Sequence, residues 1–365
     1  MKTSTHTFDF APEAGAMAEY QVLVTVTDPA LDFKGQLESV LRAYREASAG
    51  RTVHFRRFFL SDAANQAPAL AKSLADLPQV PTSIVQQAPL DGTRIALWVY
   101  ATSPMERKGG APVHNGYSHH WAGSLVAPGQ DAREQMYGIF RGLDAQLGRK
   151  KLSVAADTVR TWIFVRDVDA NYAGVVAGRK AWFDSIGLTA DTHYIASTGI
   201  QGQHPDLRCI VEMDAYSVGG LREGQVAFLQ ARNHLNPTYD YGVTFERGTA
   251  VTYGDRRHVF ISGTASIDPK GNVLHAGDAV AQTRRILENV GALLDEAQAG
   301  LKDISMAVVY LRDPADAPAV RRHIESACPQ ACLLMVHAPV CRPAWLVEME
   351  CIAVTADGDK SFPVF

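Results

Sequence analysis

The chain is poor in the features that mark several large classes of protein. Its five cysteines, Cys209, Cys328, Cys332, Cys341 and Cys351, include no CxxC pair. A disulfide framework and a zinc-finger spacing are both missing. Cys328 and Cys332 could share one helix face, but no second ligand pair follows, so no metal is expected. No stretch reaches the ~18 consecutive apolar residues of a membrane-spanning helix. The first ten residues, MKTSTHTFDF, hold no apolar segment of a secretory leader. Positive charge is not in surplus: 35 Lys and Arg stand against 39 Asp and Glu, a formal net charge of −4. That balance gives no electrostatic footprint for nucleic acid. GxGxxG, Walker A, GxSxG and HExxH are all absent, so nucleotide, dinucleotide, serine-hydrolase and zinc-protease readings lack their motifs. The expectation left standing is a cytoplasmic protein without cofactor, bound to neither nucleic acid nor membrane.

What is present is an internal repeat. The 365 residues are 47% hydrophobic and 20% charged, as in a globular protein. The runs FFLSD (Phe58–Asp62), IFVRD (Ile163–Asp167) and VYLRD (Val309–Asp313) each end on an aspartate before a helix-like segment. Asp62, Asp167 and Asp313 are therefore expected to cap helices, accepting from the free N–H groups of the first turn. Downstream, LWVYA (97–101), VEMDA (211–215) and VEMEC (347–351) align. Upstream, Asp131 with Gln135 and Asp278 with Gln282 open amphipathic helices, and Gln36 marks a weaker first copy. The repeat predicts three units, 1–112, 113–255 and 256–365. ERKGGAP (106–112) reads as a linker. Residues 219–255 form a joint too long for an ordinary connection, yet rich in aromatics.

Candidate chemistry concentrates late in the chain. Side chains alternate along a strand, so Glu348 and Glu350 share a face of the apolar run AWLVEMECIAV. A carboxyl buried there is either a general acid with a raised pKa or half of a buried Glu–Arg pair. Glu212 and Asp214 repeat the pattern more weakly, and the first unit has Trp98 and Tyr100 instead. The segment YDYGVTFERGT (239–249) brings Tyr241 and Arg247 together, either as a pocket for a small cyclic carboxylate or as a solvated strand with an Arg247–Glu246 pair. Arg160 and Arg342 are further anion ligands to consider. Gly263, inside FISGTAS (260–266), implies close approach by backbone or ligand. Cys341, in VCRPA, is inert unless its pKa is lowered.

The third unit resembles the Rid (YjgF/UK114, endoribonuclease L-PSP-like) family through FISGTASIDPKG, DAVAQTRRILENV, VYLRD and the closing LVEMEC. The middle unit resembles a degenerate copy through ASTGI and VEMDAY. Rid proteins are trimers with sites between subunits. The resemblance thus implies an α+β fold of tandem Rid-like, bacillus chorismate mutase-like units in a pseudo-trimer, either monomeric or further oligomerised. The arginine of Rid deaminases is replaced in Gln330-Ala331-Cys332-Leu333. A closer resemblance, over roughly 158–355, is to the chorismatases, through RTW (160–162), ASTGI (196–200), YGVTFERGT (241–249), FISGTAS and HAPVCRPAWLVEME (337–350). It implies pyruvate release from chorismate without metal or cofactor. By that resemblance Glu348 would be the acid, Arg247 and Tyr241 would hold substrate, and Gly263 with Cys341 would mark the 3-hydroxybenzoate-forming subtype, alone or with 4-hydroxybenzoate. Because the dianion needs positive charge, Arg160 and Arg342 are expected to join Arg247 in neutralising it. The alternatives are a Rid-type enamine deaminase and a non-catalytic ligand-binding protein.

Overall fold

The structure, a computed structural model, describes residues 2–365. The first sheet is built from β1 (Thr3–Phe10), β2 (Glu19–Val26), β3 (Thr52–Leu60), β4 (Thr82–Gln86) and β6 (Ile95–Thr102); the two-residue β5 (Ala88–Pro89), which precedes β6 in the chain, joins the edge of the third sheet instead. Helices α1 (Phe33–Ser48) and α2 (Ala63–Leu74) lie between the strands of the first sheet. The second sheet holds β7 (Glu106–Lys108), β8 (Ala111–His114), β9 (Tyr117–Leu125), β10 (Thr158–Val165), β11 (Ala196–Gln201) and β12 (Val211–Gly219), with α3 (Ala132–Gly148), α4 (Val154–Asp157) and α5 (Val168–Ser185). The third holds β13 (Val226–Leu229), β14 (Gly248–Thr252), β15 (Arg257–Thr264), β16 (Ile304–Leu311), β17 (Cys332–His337) and β18 (Val347–Thr355), with α6 (Ala279–Glu296) and α7 (Ala317–Ala327).

Each sheet repeats one strand order: β2-β6-β3-β4, β9-β12-β10-β11 and β15-β18-β16-β17. The last pair in each is parallel and the others antiparallel. A buried glutamine fixes the plan in every unit. Gln36, Gln135 and Gln282 accept through Oε1 from the backbone N–H of Arg94 (2.8 Å), Ile210 (2.7 Å) and Leu346 (2.8 Å). Their Nε2 groups donate to the chain before each helix, at Leu31 O, Gly129 O and His275 O. The weak first copy at Gln36 is thus a full member of the set.

Four expectations change. First, ladder register pairs Leu60 with Ile95, Val165 with Val211 and Leu311 with Val347. Ala96, Glu212 and Glu348 therefore share one position, and Trp98, Asp214 and Glu350 the next on the same face. Aligning Trp98 with Glu348 is off by two residues, a slip that period-two patterning cannot detect because it leaves every side chain on its own face. Second, Asp62 caps α2 through Asn65 N–H, and Asp313 caps a 3-10 turn through Ala315 N–H. Asp167 caps nothing with its side chain: its backbone is left-handed (φ 48°), and the Val168 N–H bonds Gln201 Oε1 at 2.8 Å instead. Third, ERKGGAP is a hairpin, β7 pairing β8 across Gly109 and Gly110, both at positive φ. Fourth, the 219–255 joint supplies two strands of the third sheet, with Leu229 opposite Gly248, and we place the boundary between the second and third units near residue 220.

Helices cover one face of each sheet. The inner faces meet in an aromatic core where Trp98, Trp121 and Trp162 lie within 5.8–6.4 Å of one another. The fourth strand of each unit packs on the next: β4 against β9, β11 against β15, β17 against β2. Contacts between units so run round a ring. Among the described residues no helix is long and apolar enough to cross a membrane.

Candidate active site

The site grows from an irregularity in two of the three sheets. Between β18 and β15 the register jumps, so that Ser262 and Gly263 together oppose Glu350; between β12 and β9, Gly123 and Ser124 oppose Asp214 in the same way. The β2–β6 ladder has no such shift. A bulge adds one residue, bends the strand and re-aims its side chains. It accompanies the carboxylates and is missing where they are missing.

Glu348 faces a cleft of about 510 Å³ between the second and third units. The third contributes Val243, Phe245, Arg247, Gly263, Cys341 and Trp345, and the second contributes Tyr172, Arg179, Ser197 and Gly199. Glu348 is 4% exposed. Burial, reinforced by the neighbouring Glu350, pushes its pKa up to about 8 against the opposing pull of Arg160 and Arg247. It is therefore mostly protonated at neutral pH, as a general acid must be. Gly263 makes room for it: a Cβ there would lie 2.3 Å from Glu348 Oε1.

The second carboxylate has another job. Glu350 Oε2 takes Arg160 Nη2 at 2.7 Å, and Thr198 Oγ1 donates to the same oxygen while accepting from Gly263 N–H at 2.9 Å. The strand's two carboxylates so differ: Glu350 is the buried partner of an arginine, and Glu348 has the burial-raised pKa that a general acid would need. Arg160 accordingly does not line the cleft. It stacks 4.9 Å from Trp162 inside the interface.

Arg247 lines the cleft, 5% exposed, with its guanidinium held by Asn236 O at 2.9 Å and Asn236 Oδ1 at 3.1 Å. Arg342 is exposed at the rim, its guanidinium 5.0 Å from the Trp345 ring. Tyr241 ends a 3-10 turn, and its side chain lies outside the described residues. Cys341 is at the cleft, where burial and then Glu348 push its pKa up to about 12, while the Tyr172 hydroxyl hydrogen-bonds it. It is a thiol and not a thiolate, which leaves it without nucleophilic character.

Two cleft residues escaped the sequence reading. Arg179 is 2% exposed, with Nε donating to Thr244 Oγ1 at 3.1 Å and its guanidinium 5.8 Å from Phe245. Tyr172 packs on Gly199, whose Cβ would be 2.8 Å from the ring. Both stand on α5. The available signal was an arginine on the buried stripe Val175, Arg179, Phe183.

Residues 248–355 match the family profile "Endoribonuclease L-PSP". The 3-aminoacrylate deaminase RutC of Acinetobacter baylyi is 34% identical over 97 residues, 26% of this chain and 77% of the relative. The chain belongs to the endoribonuclease L-PSP family. A RutC family protein of Pyrococcus abyssi is 41% identical over 58 residues, 46% of its length. Beyond the single L-PSP unit, a crystal structure of a chorismatase matches 92% of this chain and 98% of its own, with TM-score 0.65 and 19% identity. At that identity the match concerns the fold: an L-PSP-family chain of tandem α+β units arranged as in that enzyme.

Proposed function

We propose that the protein is a chorismatase-like enzyme that releases pyruvate from chorismate. The observation that carries this reading is a carboxylic acid kept protonated near neutral pH by burial, facing a cleft with three arginines and aromatic walls. Chorismate is a dianion with an enol ether. Adding a proton to its methylene carbon gives the adjacent carbon oxocarbenium character and loosens the bond to the ring. Glu348 supplies that proton. Arg179, Arg247 and Arg342 answer the two carboxylates, with Arg179 taking the place we would otherwise give Arg160. Phe245, Val243 and Trp345 wall the ring.

For the outcome we favour 3-hydroxybenzoate, alone or with 4-hydroxybenzoate. The ring hydroxyl displaces the pyruvyl group, and loss of a ring proton to the Glu348 carboxylate restores the acid. Hydroxybenzoate and pyruvate together have the composition of chorismate, so no water is consumed. Gly263 lets the acid reach over the ring, and Cys341, a neutral thiol bordering the cleft, steers the opening and aromatisation of the ring without attacking it. The test is incubation of purified protein with chorismate, following pyruvate and aromatic acids by chromatography. Pyruvate with 3-hydroxybenzoate is expected, and no pyruvate above a protein-free control would sink the reading.

An alternative reading has its own support in the 34% identity to a 3-aminoacrylate deaminase. An enamine is also protonated on carbon, and ammonia would then appear from enamine substrates. Ammonia release with chorismate untouched would decide for it.

A further inference from the structure

A second cavity lies on the far side of Arg247. It is an open recess of about 580 Å³, and Thr192, His193, Phe228, Arg232, Thr238 and Tyr239 are among the residues that line it. Among the described residues Arg247 alone lines both this cavity and the Glu348 cleft. The wall between them is the segment 236–247. Val243 and Phe245 border the cleft, whereas Pro237 and Thr238 border the second cavity. Thr238 Oγ1 donates to Phe245 O at 2.6 Å, and Asn236 pins the Arg247 guanidinium, so the wall is tied across its thickness.

The two chambers differ in chemistry. The cleft holds the acid, three arginines and the rings of Tyr172, Phe245 and Trp345. The second cavity has rings as well, Tyr194, Tyr239 and Phe228 with His193 stacked on it at 4.4 Å, together with an exposed Arg232 and two threonine hydroxyls. Its carboxylate, Glu246, is turned to the Tyr194 N–H at 2.7 Å, and burial raises its pKa. With that carboxylate turned away, Arg232 and Arg247 give the cavity a cationic lining that suits a small anion.

We infer that this second cavity receives the three-carbon α-keto acid as it leaves the Glu348 cleft; the inference rests on the chorismatase-like reading. Cleavage turns one dianion into two monoanions, each needing a cation. A buried arginine fixed in the wall between two chambers can hold the departing carboxylate from either side without moving. The aromatic product stays in the cleft where it forms, and the small acid leaves through the second cavity.

The experiment is direct binding of pyruvate to the full chain, by calorimetry and by line broadening of 13C-labelled pyruvate, so it does not depend on turnover. Two substitutions touch only the second cavity: Arg232→Glu removes its exposed cation, and Ala190→Trp fills its exposed rim. Each is expected to weaken pyruvate binding by at least about fivefold, roughly 1 kcal/mol, while saturating 3-hydroxybenzoate leaves pyruvate bound. Circular dichroism checks folding, and Arg232→Glu, a surface change, stands alone if Ala190→Trp fails to fold. No binding to the parent protein, binding unchanged in Arg232→Glu, or displacement of pyruvate by 3-hydroxybenzoate would each overturn the compartment. If chorismate is not consumed yet pyruvate binds as described, the chorismatase-like reading fails and the cavity remains a keto-acid site.

Discussion

Two interfaces in this molecule start from the same parts and end differently. Between the second and third units Glu348 sits across from Gly263. Between the first and second units Glu212 sits across from Ser124, the residue that ladder register places at the same point of the same bulge. The Ser124 hydroxyl donates to Glu212 Oε1 at 2.5 Å, and Ile84 N–H donates to Ser124 Oγ at 3.1 Å. Strand β4 thereby fills the space that is a cleft at the other interface. The buried ion pair behind each acid is shared: Arg57 grips Asp214 at 2.7 Å as Arg160 grips Glu350. Burial also holds the Glu212 pKa well up. A raised pKa is thus common to both, and what separates a candidate acid from a structural one is access, decided by one side chain.

Substitutions can break this comparison or sharpen it. The largest effect is expected at the two acids. Glu348→Gln should lower pyruvate release by about 10²–10⁴-fold, and Glu212→Gln should leave it within about twofold, read by a lactate dehydrogenase-coupled assay. Equal losses would mean that both interfaces work. In the parent protein activity should fall as pH rises through about 8, because the acid is then lost. The same raised pKa means that Glu348 takes up a proton on folding between its ordinary value of 4.5 and about 8. Its stabilising contribution is full below the first and gone above the second, so Glu348→Gln should melt higher than the parent at pH 9.

Next come the buried pairs, where the interfaces should agree. Arg57→Ala and Arg160→Ala each strand a buried carboxylate and should cost about 3–5 kcal/mol in denaturant unfolding. A mild loss in either would mean its carboxylate had neutralised. Smaller is the exchange of the deciding position. Gly263→Ser should tie Glu348 as Ser124 ties Glu212, lowering pyruvate release about tenfold, some 1.4 kcal/mol, with the melting temperature little changed. Gly123→Ala should do the reverse, harming stability and sparing activity, since its Cβ would lie 2.5 Å from the Thr82 backbone oxygen. Smallest is Cys341→Ala, expected to change the ratio of 3- to 4-hydroxybenzoate more than the rate of chorismate loss. An unchanged product ratio on chromatography would remove Cys341 from the chemistry.

The sequence carried the repeat, the acid strand and the close approach at Gly263, because each rests on local pattern. It misled where two solutions leave the same pattern. A two-residue slip of β6 keeps every apolar residue on its face, so Trp98 was set against the wrong partner. Arg160 was placed on the substrate because an arginine near a carboxylate reads alike whether it pairs with that carboxylate or with a ligand. Arg179 and Tyr172 stayed hidden because they reach the cleft from another unit, across more than 160 residues of chain, as the span from Arg179 to Glu348 shows. The bulges could be suspected only from the glycines at 123 and 263.

The three glutamine clasps have an evolutionary consequence. Gln36, Gln135 and Gln282 each tie a helix to its own closing strand, so the shape of a unit is secured from within. The residues that make a site come from two units. A copy without the acid, as the first is with Ala96, or with its acid tied to a serine, as the second is, can therefore still serve as a wall for its neighbour. A tandem chain built this way can let two of three positions drift while selection holds only one.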